Sequence, residues 1–304
     1  MASDFENRLR KIQQPRFAWA AKEKTNAFRL YDLDIPEWPV AVDWYAGFVH
    51  VMEYPSRKQQ RQGTGAMQQE VTRAISAVLQ VPAEKIFFKA HERRAWGEGQ
   101  YERATRGAST LVTVEEHGLK FECNLSDYLD AGLFLDHRPM RARVRKEASG
   151  LRFLNLFAYT GSFTVHARAG GASETTTVDL SNTYCDWAER NLALNGFSVG
   201  GVHQVVRHDV LAWVEAAKGR YELIVCDPPS FSTSKKMGRR WEVQRDHRHL
   251  VEQLLGLLAP GGQLYFSTNF LGFSLDPKLP KAEVVNSQAA DFRRTVQQTW
   301  RFRG

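Results

Sequence analysis

The chain has 304 residues, 43% of them hydrophobic, enough to bury a sizeable core in one large domain or two modest ones. Its 41 basic and 34 acidic side chains leave a net charge of +7 and a pI of about 9.3, which points to a polyanionic partner. No apolar run reaches membrane-spanning length and the charged N-terminus is no signal peptide, so a soluble cytoplasmic protein is expected, without a membrane partner.

In chain order, residues 6–13 read as a helix inside a stretch that mixes charge with Phe and Trp. Residues 40–45 and 48–54 read as strands joined at Ala46-Gly47. Val71, Ile75 and Val78 at helical spacing predict a helix over 67–79, and 86–89 follow as a strand. Gly97, Gly99 and Gly107 mark a polar loop, and residues 111–115 and 119–123 then predict a hairpin. These elements define a small N-terminal α+β domain over residues 1–126, ahead of an α/β domain over 127–304.

Residues 151–157 read as a strand that turns through Ala158-Tyr159-Thr160-Gly161 into a helix. Gly161 permits a tight turn and close backbone approach, and Thr160 or Ser162 is placed to cap the helix. Eighteen residues after Gly161, at the end of a strand over 174–178, stands Asp179, placed to accept both ribose hydroxyls of a nucleoside-containing cofactor. The turn has one glycine where a pyrophosphate cradle needs three, so a cofactor with ribose and no phosphate fits, and S-adenosylmethionine is such a cofactor. Ser181 or Asn182 starts the next helix, which carries Tyr184, Trp187, Ala188 and Leu194 on one side and ends at Asn195-Gly196. After a strand over 203–206, Asp209 reads either as an acceptor for the adenine amino group or as the N-cap of the helix through Leu211, Trp213 and Val214.

The apolar run 221–226 ends in Asp227-Pro228-Pro229-Ser230-Phe231. The prolines remove two N–H donors and fix φ, so they can hold the Asp227 carboxylate and the Phe231 ring rigidly at a strand tip. An acceptor carboxylate beside a stacking ring is a receptor for a planar, amino-bearing base; the plain alternative is a proline turn with a solvent-facing acid. Lys235, Lys236, Arg239 and Arg240 follow closely and would meet phosphates there. Arg57-Lys58-Gln59-Gln60-Arg61 reads instead as a solvated face, and a third basic cluster spans Arg141 to Lys146. A helix from Val243 is stopped by Pro260-Gly261-Gly262, and residues 263–267 form the fifth strand. Cys123, Cys185 and Cys226 show no metal spacing and read as free thiols, Cys226 as core filler, so no metal is expected.

Together, Asn155 to Gly161, Asp179, Asp209 and Asp227 to Phe231 resemble the class I S-adenosylmethionine-dependent RNA methyltransferases, and more narrowly the RlmK half of the bacterial RlmK/L 23S rRNA guanine methyltransferases. Residues 31–37, 127–138, 231–237 and 243–247 support the likeness, which runs from about residue 26 to the C-terminus. The resemblance implies a Rossmann-like class I sheet and transfer of a methyl group from S-adenosylmethionine to guanine N7 of 23S rRNA or a large-subunit precursor. It adds Phe134, Asp136, Arg138, Asn155, Phe157, Tyr159, Leu180, Ser181 and Val210 to the cofactor-binding residues Thr160, Gly161, Ser162, Asp179 and Asp209. Within it, Phe134 would stack on adenine and Arg138 would meet the cofactor carboxylate; the plain alternative is an amphipathic helix with Phe134 in the core. The THUMP-bearing, N2-methylating half of that family has no counterpart in these residues, so a separate N2-guanine methyltransferase partner is one expectation.

Guanine N7 has a lone pair and no proton, so its methylation needs positioning more than a base. The same receptor can present N2. A 5-methylcytosine enzyme needs a cysteine nucleophile, which in that related family follows the fifth strand where this chain has Thr268. A non-catalytic RNA-binding module is the remaining alternative.

Overall fold

Strand-forming residues in the first third of the chain close a four-stranded sheet under two helices. The computed structural model describes residues 2–56, 63–90, 109–232 and 240–304. They fall into two units, Met1–Leu135 with Ala290–Arg293, and Asp136–Ala289 with Arg294–Gly304. Among the described residues no helix is long and apolar enough to cross a membrane.

In the first unit α1 spans Asp4–Lys22, well beyond the 6–13 expected. Ser3 accepts the Glu6 N–H as its N-cap, and Phe5, Leu9 and Ala20 continue the buried stripe past Pro15. Strands β1 (Ala27–Asp32), β2 (Val40–Tyr45), β3 (Phe48–Glu53) and β4 (Ile86–Ala90) follow in that sheet order, with α2 (Gly65–Leu79) packed beside them. β1 does not read as a strand because it carries Arg29, whose charge is answered only in the fold by Asp32 and Asp43. The hairpin is present as β5 (Leu111–Glu116) and β6 (Leu119–Asn124), with alternating burial along β5. The Gly97–Gly107 loop and the Arg57–Arg61 cluster lie outside the described residues.

The second unit begins with α3 (Arg138–Glu147) and then alternates strand and helix: β7 (Arg152–Leu156), α4 (Ser162–Ala169), β8 (Glu174–Asp179), α5 (Asn182–Leu194), β9 (His203–Arg207), α6 (Val210–Ala216) and β10 (Tyr221–Cys226). A short ribbon, β11 (Phe231–Ser232) with β12 (Trp241–Glu242), leads into α7 (Val243–Gly256) and β13 (Leu258–Thr268). Antiparallel strands β14 (Glu283–Val285) and β15 (Gln298–Arg303) complete a seven-stranded sheet of order β14-β15-β13-β10-β7-β8-β9. The five neighbouring strands β9, β8, β7, β10 and β13 are parallel, as the alternation of strand and helix requires, and the sheet is Rossmann-like, as the resemblance implies.

Each central strand is buried on both faces, which is why it reads as a continuous apolar run. Leu154, Leu156, Ile224, Cys226, Leu264 and Phe266 pack with α6 and α7. Phe153, Leu223, Val225 and Tyr265 pack with α3 and α4. Each fully buried Leu or Phe contributes roughly 1.5–3 kcal/mol.

Pro260-Gly261-Gly262 does not separate helix from strand as expected. The helix ends at Gly256, and the triplet lies inside β13, where pairing jumps from Tyr221↔Leu258 to Leu223↔Gln263. The extra residues are accommodated as a bulge, which is where a strand tolerates Pro and Gly.

Candidate active site

The chain order of the parallel strands reverses between β7 and β10, so their C-terminal tips face a common crevice. The two stretches picked out from sequence, 157–161 and 227–231, are the loops at those tips.

The turn after β7 carries Phe157 at φ 53° and Tyr159 at φ 51°, both left-handed, followed by Gly161 at φ 73°. Non-glycine residues in that region cost about 1–3 kcal/mol each and persist where neighbours enforce them. Here the Tyr159 N–H donates to Asp179 Oδ2 at 2.9 Å and the Asn191 amide donates to Thr160 O at 2.9 Å. The Tyr159 ring packs edge-on against Tyr184 with centroids 4.6 Å apart. Gly161 is itself the N-cap of α4, without a side-chain cap, so the expected capping by Thr160 or Ser162 does not occur. Its close approach is to a helix: a Cβ there would stand 2.7 Å from Ala188 Cβ on α5.

Asp179 ends β8 with one oxygen on Tyr159 N–H and the other on Ser181 N–H, also 2.9 Å. Burial raises its pKa and these backbone donors only partly offset that. Each oxygen keeps lone pairs for a further donor. The carboxylate therefore shapes the turn after β7 and keeps the capacity to accept hydroxyls, and with a single glycine in the turn the residues fit a ribose-bearing, phosphate-free cofactor.

The remaining predicted cofactor residues divide. Ser181 caps α5 by accepting the Tyr184 N–H. Asp209 caps α6 by accepting the Leu211 N–H at 2.9 Å, the plainer of its two expected roles, and its second oxygen leaves adenine recognition open. Asn155 is 1% exposed and donates to Thr164, which bonds Thr177, so its side chain braces β7 against α4. Val210 is buried and Leu180 and Phe157 pack on the same core cluster. Asp136 and Arg138 flank His137 at the start of α3, with Arg138 buried, while Phe134 is 38% exposed and belongs to the first unit. Arg141 and Val144 are also buried, so the cluster from Arg141 to Lys146 is no uniform basic stripe.

At the second tip, the Trp241 indole N–H donates to Pro229 O at 2.7 Å and Val243 N–H to Ser230 O at 3.0 Å. Phe231, 37% exposed, is held edge-on to Phe270 with centroids 5.3 Å apart, and the Ser230 hydroxyl donates to Asn269 Oδ1 at 2.8 Å. Asp227, its side chain 26% exposed, accepts from His137 Nε2 at 3.1 Å and from the Ser267 hydroxyl at 2.5 Å. Burial alone would raise its pKa, but the His137 charge and the two donors bring it below the ordinary carboxylate value. Of the basic loop, Arg240 is exposed; Lys235, Lys236 and Arg239 lie outside the described residues. Sequence reasoning missed His137, Ser267, Asn269, Phe270 and Trp241 as parts of this site. Their only signal is proximity in space, since no spacing along the chain announces it.

Residues 39–288 match the family described as S-adenosylmethionine-dependent methyltransferase. The chain belongs to that family. Two curated relatives, both called ribosomal RNA large subunit methyltransferase K/L, come from Hahella chejuensis (46% identical over 310 residues) and Stutzerimonas stutzeri (47% over 306). The alignments cover 99% and 98% of this chain but 43% and 42% of the relatives, so it spans about two fifths of their length. In fold it is similar to the crystal structure of SMU.776 complexed with SAH (TM-score 0.79, 24% identity, 98% of this chain and 82% of that one). It is also similar to the SAM-dependent methyltransferase from Agrobacterium tumefaciens (TM-score 0.59, 18% identity, 81% and 74%). S-adenosylmethionine is the family's cofactor.

Asp179→Ala should weaken S-adenosylmethionine binding by one to two orders of magnitude, about 1–3 kcal/mol, as measured by calorimetry. Unchanged affinity would remove Asp179 from the site.

Proposed function

We propose that this chain methylates N7 of an unpaired guanine in 23S rRNA or a large-subunit precursor. The observation that carries the reading is the pairing of tips at the sheet's switch point: a strained, phosphate-free cofactor turn beside an anchored Asp227 carboxylate and a half-exposed Phe231 ring. The names of the relatives supply the class of RNA.

Bound S-adenosylmethionine would supply an electrophilic methyl group, held by the turn 157–161, Asp179 and Ser181, with Asp136, Arg138 and Asp209 at its flanks. Phe231 stacks on the base and Asp227 accepts from its N1–H and amino group. Pro228, Pro229 and the Trp241 bond fix both groups, so the chain's work is orientation. The first unit is the RNA-binding or substrate domain in this reading.

The cytosine alternative lacks its nucleophile. All three cysteines are buried, and burial pushes the Cys185 thiol up to about 11 and Cys226 well above its ordinary value. Thr268 is 1% exposed and its hydroxyl accepts the Phe270 N–H.

Replacing Lys235, Lys236, Arg239 and Arg240 together by Ala should weaken 23S rRNA binding and flatten its salt dependence by up to about 3–4 in the log–log slope, with S-adenosylmethionine affinity unchanged. A slope equal to the parent's would make this loop a solvated surface. No methyl transfer to 23S rRNA by the parent chain, under conditions where it binds the cofactor, would refute the reading itself.

A further inference from the structure

The Asp227 carboxylate is gripped by two side chains far from it in sequence. His137, 6% exposed, stands 3.1 Å away through Nε2, and Ser267, 3% exposed, reaches the other oxygen at 2.5 Å. The Phe163 ring meets the imidazole edge-on with centroids 5.4 Å apart, which limits its rotation. Because Nε2 faces a carboxylate, that nitrogen carries the proton whether the ring is neutral or charged.

We propose that His137 is the positioning residue for Asp227, fixing the plane of its carboxylate and keeping it an acceptor for the amino-bearing edge of the base. The inference rests on the guanine reading above. Burial pushes this carboxylate toward its protonated form and the His137 charge opposes that, while a protonated Asp227 would donate where guanine needs an acceptor. The reaction raises the stakes. As the N7–carbon bond forms, the sulfur–carbon bond breaks and its electron pair stays on sulfur, so the positive charge passes from sulfonium to the guanine ring and no proton leaves N7. An ionised carboxylate at the ring's edge complements that charge as it develops. Ser267 sets the second oxygen, so the remaining lone pairs point in fixed directions.

Among the described residues, the charged groups that act on His137 include Asp227 at the tip of β10, Asp136 beside it in sequence and Arg141 one turn along α3. Burial works against the imidazolium, but the two acids outweigh it and the net shift is upward. The ion pair is therefore complete below the ordinary histidine range and is lost as pH rises through the raised His137 value. At the acid end it is lost as pH falls through the lowered Asp227 value.

The test compares the parent with His137→Gln, which keeps a donor but no charge, with His137→Leu, which keeps neither, and with Ser267→Ala. Single-turnover transfer to 23S rRNA at saturating cofactor is followed across pH, beside calorimetric S-adenosylmethionine affinity and thermal midpoint. His137→Leu should transfer roughly 10- to 100-fold more slowly with cofactor affinity near the parent's, the loss expected for a hydrogen bond to a charged group. His137→Gln should recover part of the rate and lose the alkaline fall set by His137, and Ser267→Ala should show a smaller loss. Parent-like rate and pH profile in His137→Leu would overturn the inference alone. If that variant does not fold, an alkaline fall in His137→Gln identical to the parent's would overturn it. A parent chain that methylates no guanine at any pH would overturn the underlying reading and this inference with it.

Discussion

Phe231→Ala should cut methyl transfer to 23S rRNA by roughly 10- to 100-fold while S-adenosylmethionine still binds, because loss of a stacking ring costs about 1–3 kcal/mol per base. Asp227→Asn should cost more, on the order of 10²- to 10³-fold, since it removes the charge beside a ring that becomes cationic. In the proposed reading the two losses belong to the base and not to the cofactor. Both residues sit on the tip of β10, whereas Asp179 and the turn after β7 build the neighbouring half of the crevice. Phe231 is 37% exposed, packs edge-on against Phe270 and belongs to neither of the two core clusters described above, so its removal leaves the core intact. Transfer assays beside calorimetry check both variants. Rates within about three-fold of the parent for both would remove this tip from substrate recognition.

Gly161→Ala should damage the second unit far beyond the size of one methyl group. Its φ of 73° already disfavours a side chain, and the new Cβ would stand 2.7 Å from Ala188 Cβ and 3.2 Å from Ala188 Cα. Either the turn or α5 has to move, and moving the turn pulls Tyr159 N–H away from Asp179. A midpoint drop corresponding to about 2–4 kcal/mol, together with weakened cofactor binding, is expected. Gly196→Ala is the matched control: its φ is 74°, but nothing lies within 4 Å of the added methyl, so only the backbone strain remains. Equal midpoints for the two variants would mean that the contact with Ala188 carries no cost.

The parts of the fold that were legible from sequence are those where one local pattern decides. Buried parallel strands show as apolar runs, and β7, β8, β9, β10 and the hairpin β5–β6 were all expected close to where they lie. Strands whose partners supply the decisive term were not legible. Arg29 in β1 reads as solvent-facing until Asp32 and Asp43 answer its charge, and β15 carries Arg301 and Arg303 at the end of the chain. Pro260-Gly261-Gly262 has the composition of a turn and becomes a bulge only because β10 and β15 flank it.

The site shows the same division. Asp179 and Asp227 could be picked out because acids at strand tips in an α/β sheet have a defined place. What those acids touch could not. His137 lies 90 residues before Asp227 and Ser267 lies 40 after it, and only the parallel sheet with α3 packed beneath brings the three together. Likewise Asn155, read as a cofactor ligand through its family position, turns its amide onto Thr164, since successive strand residues face opposite sides and this one faces the helix layer.

The identity of the methylated nucleoside decides between guanine N7, guanine N2 and cytosine C5 as the methyl acceptor. Unmodified 23S rRNA is incubated with the protein and S-adenosylmethionine, digested to nucleosides and analysed by chromatography with mass spectrometry. The expected product is 7-methylguanosine, formed equally by a folded variant in which Cys123, Cys185 and Cys226 are all Ser, because attack by N7 needs no covalent adduct. N2-methylguanosine or 5-methylcytidine as the product, or loss of transfer in the cysteine-free protein with cofactor binding retained, would contradict it.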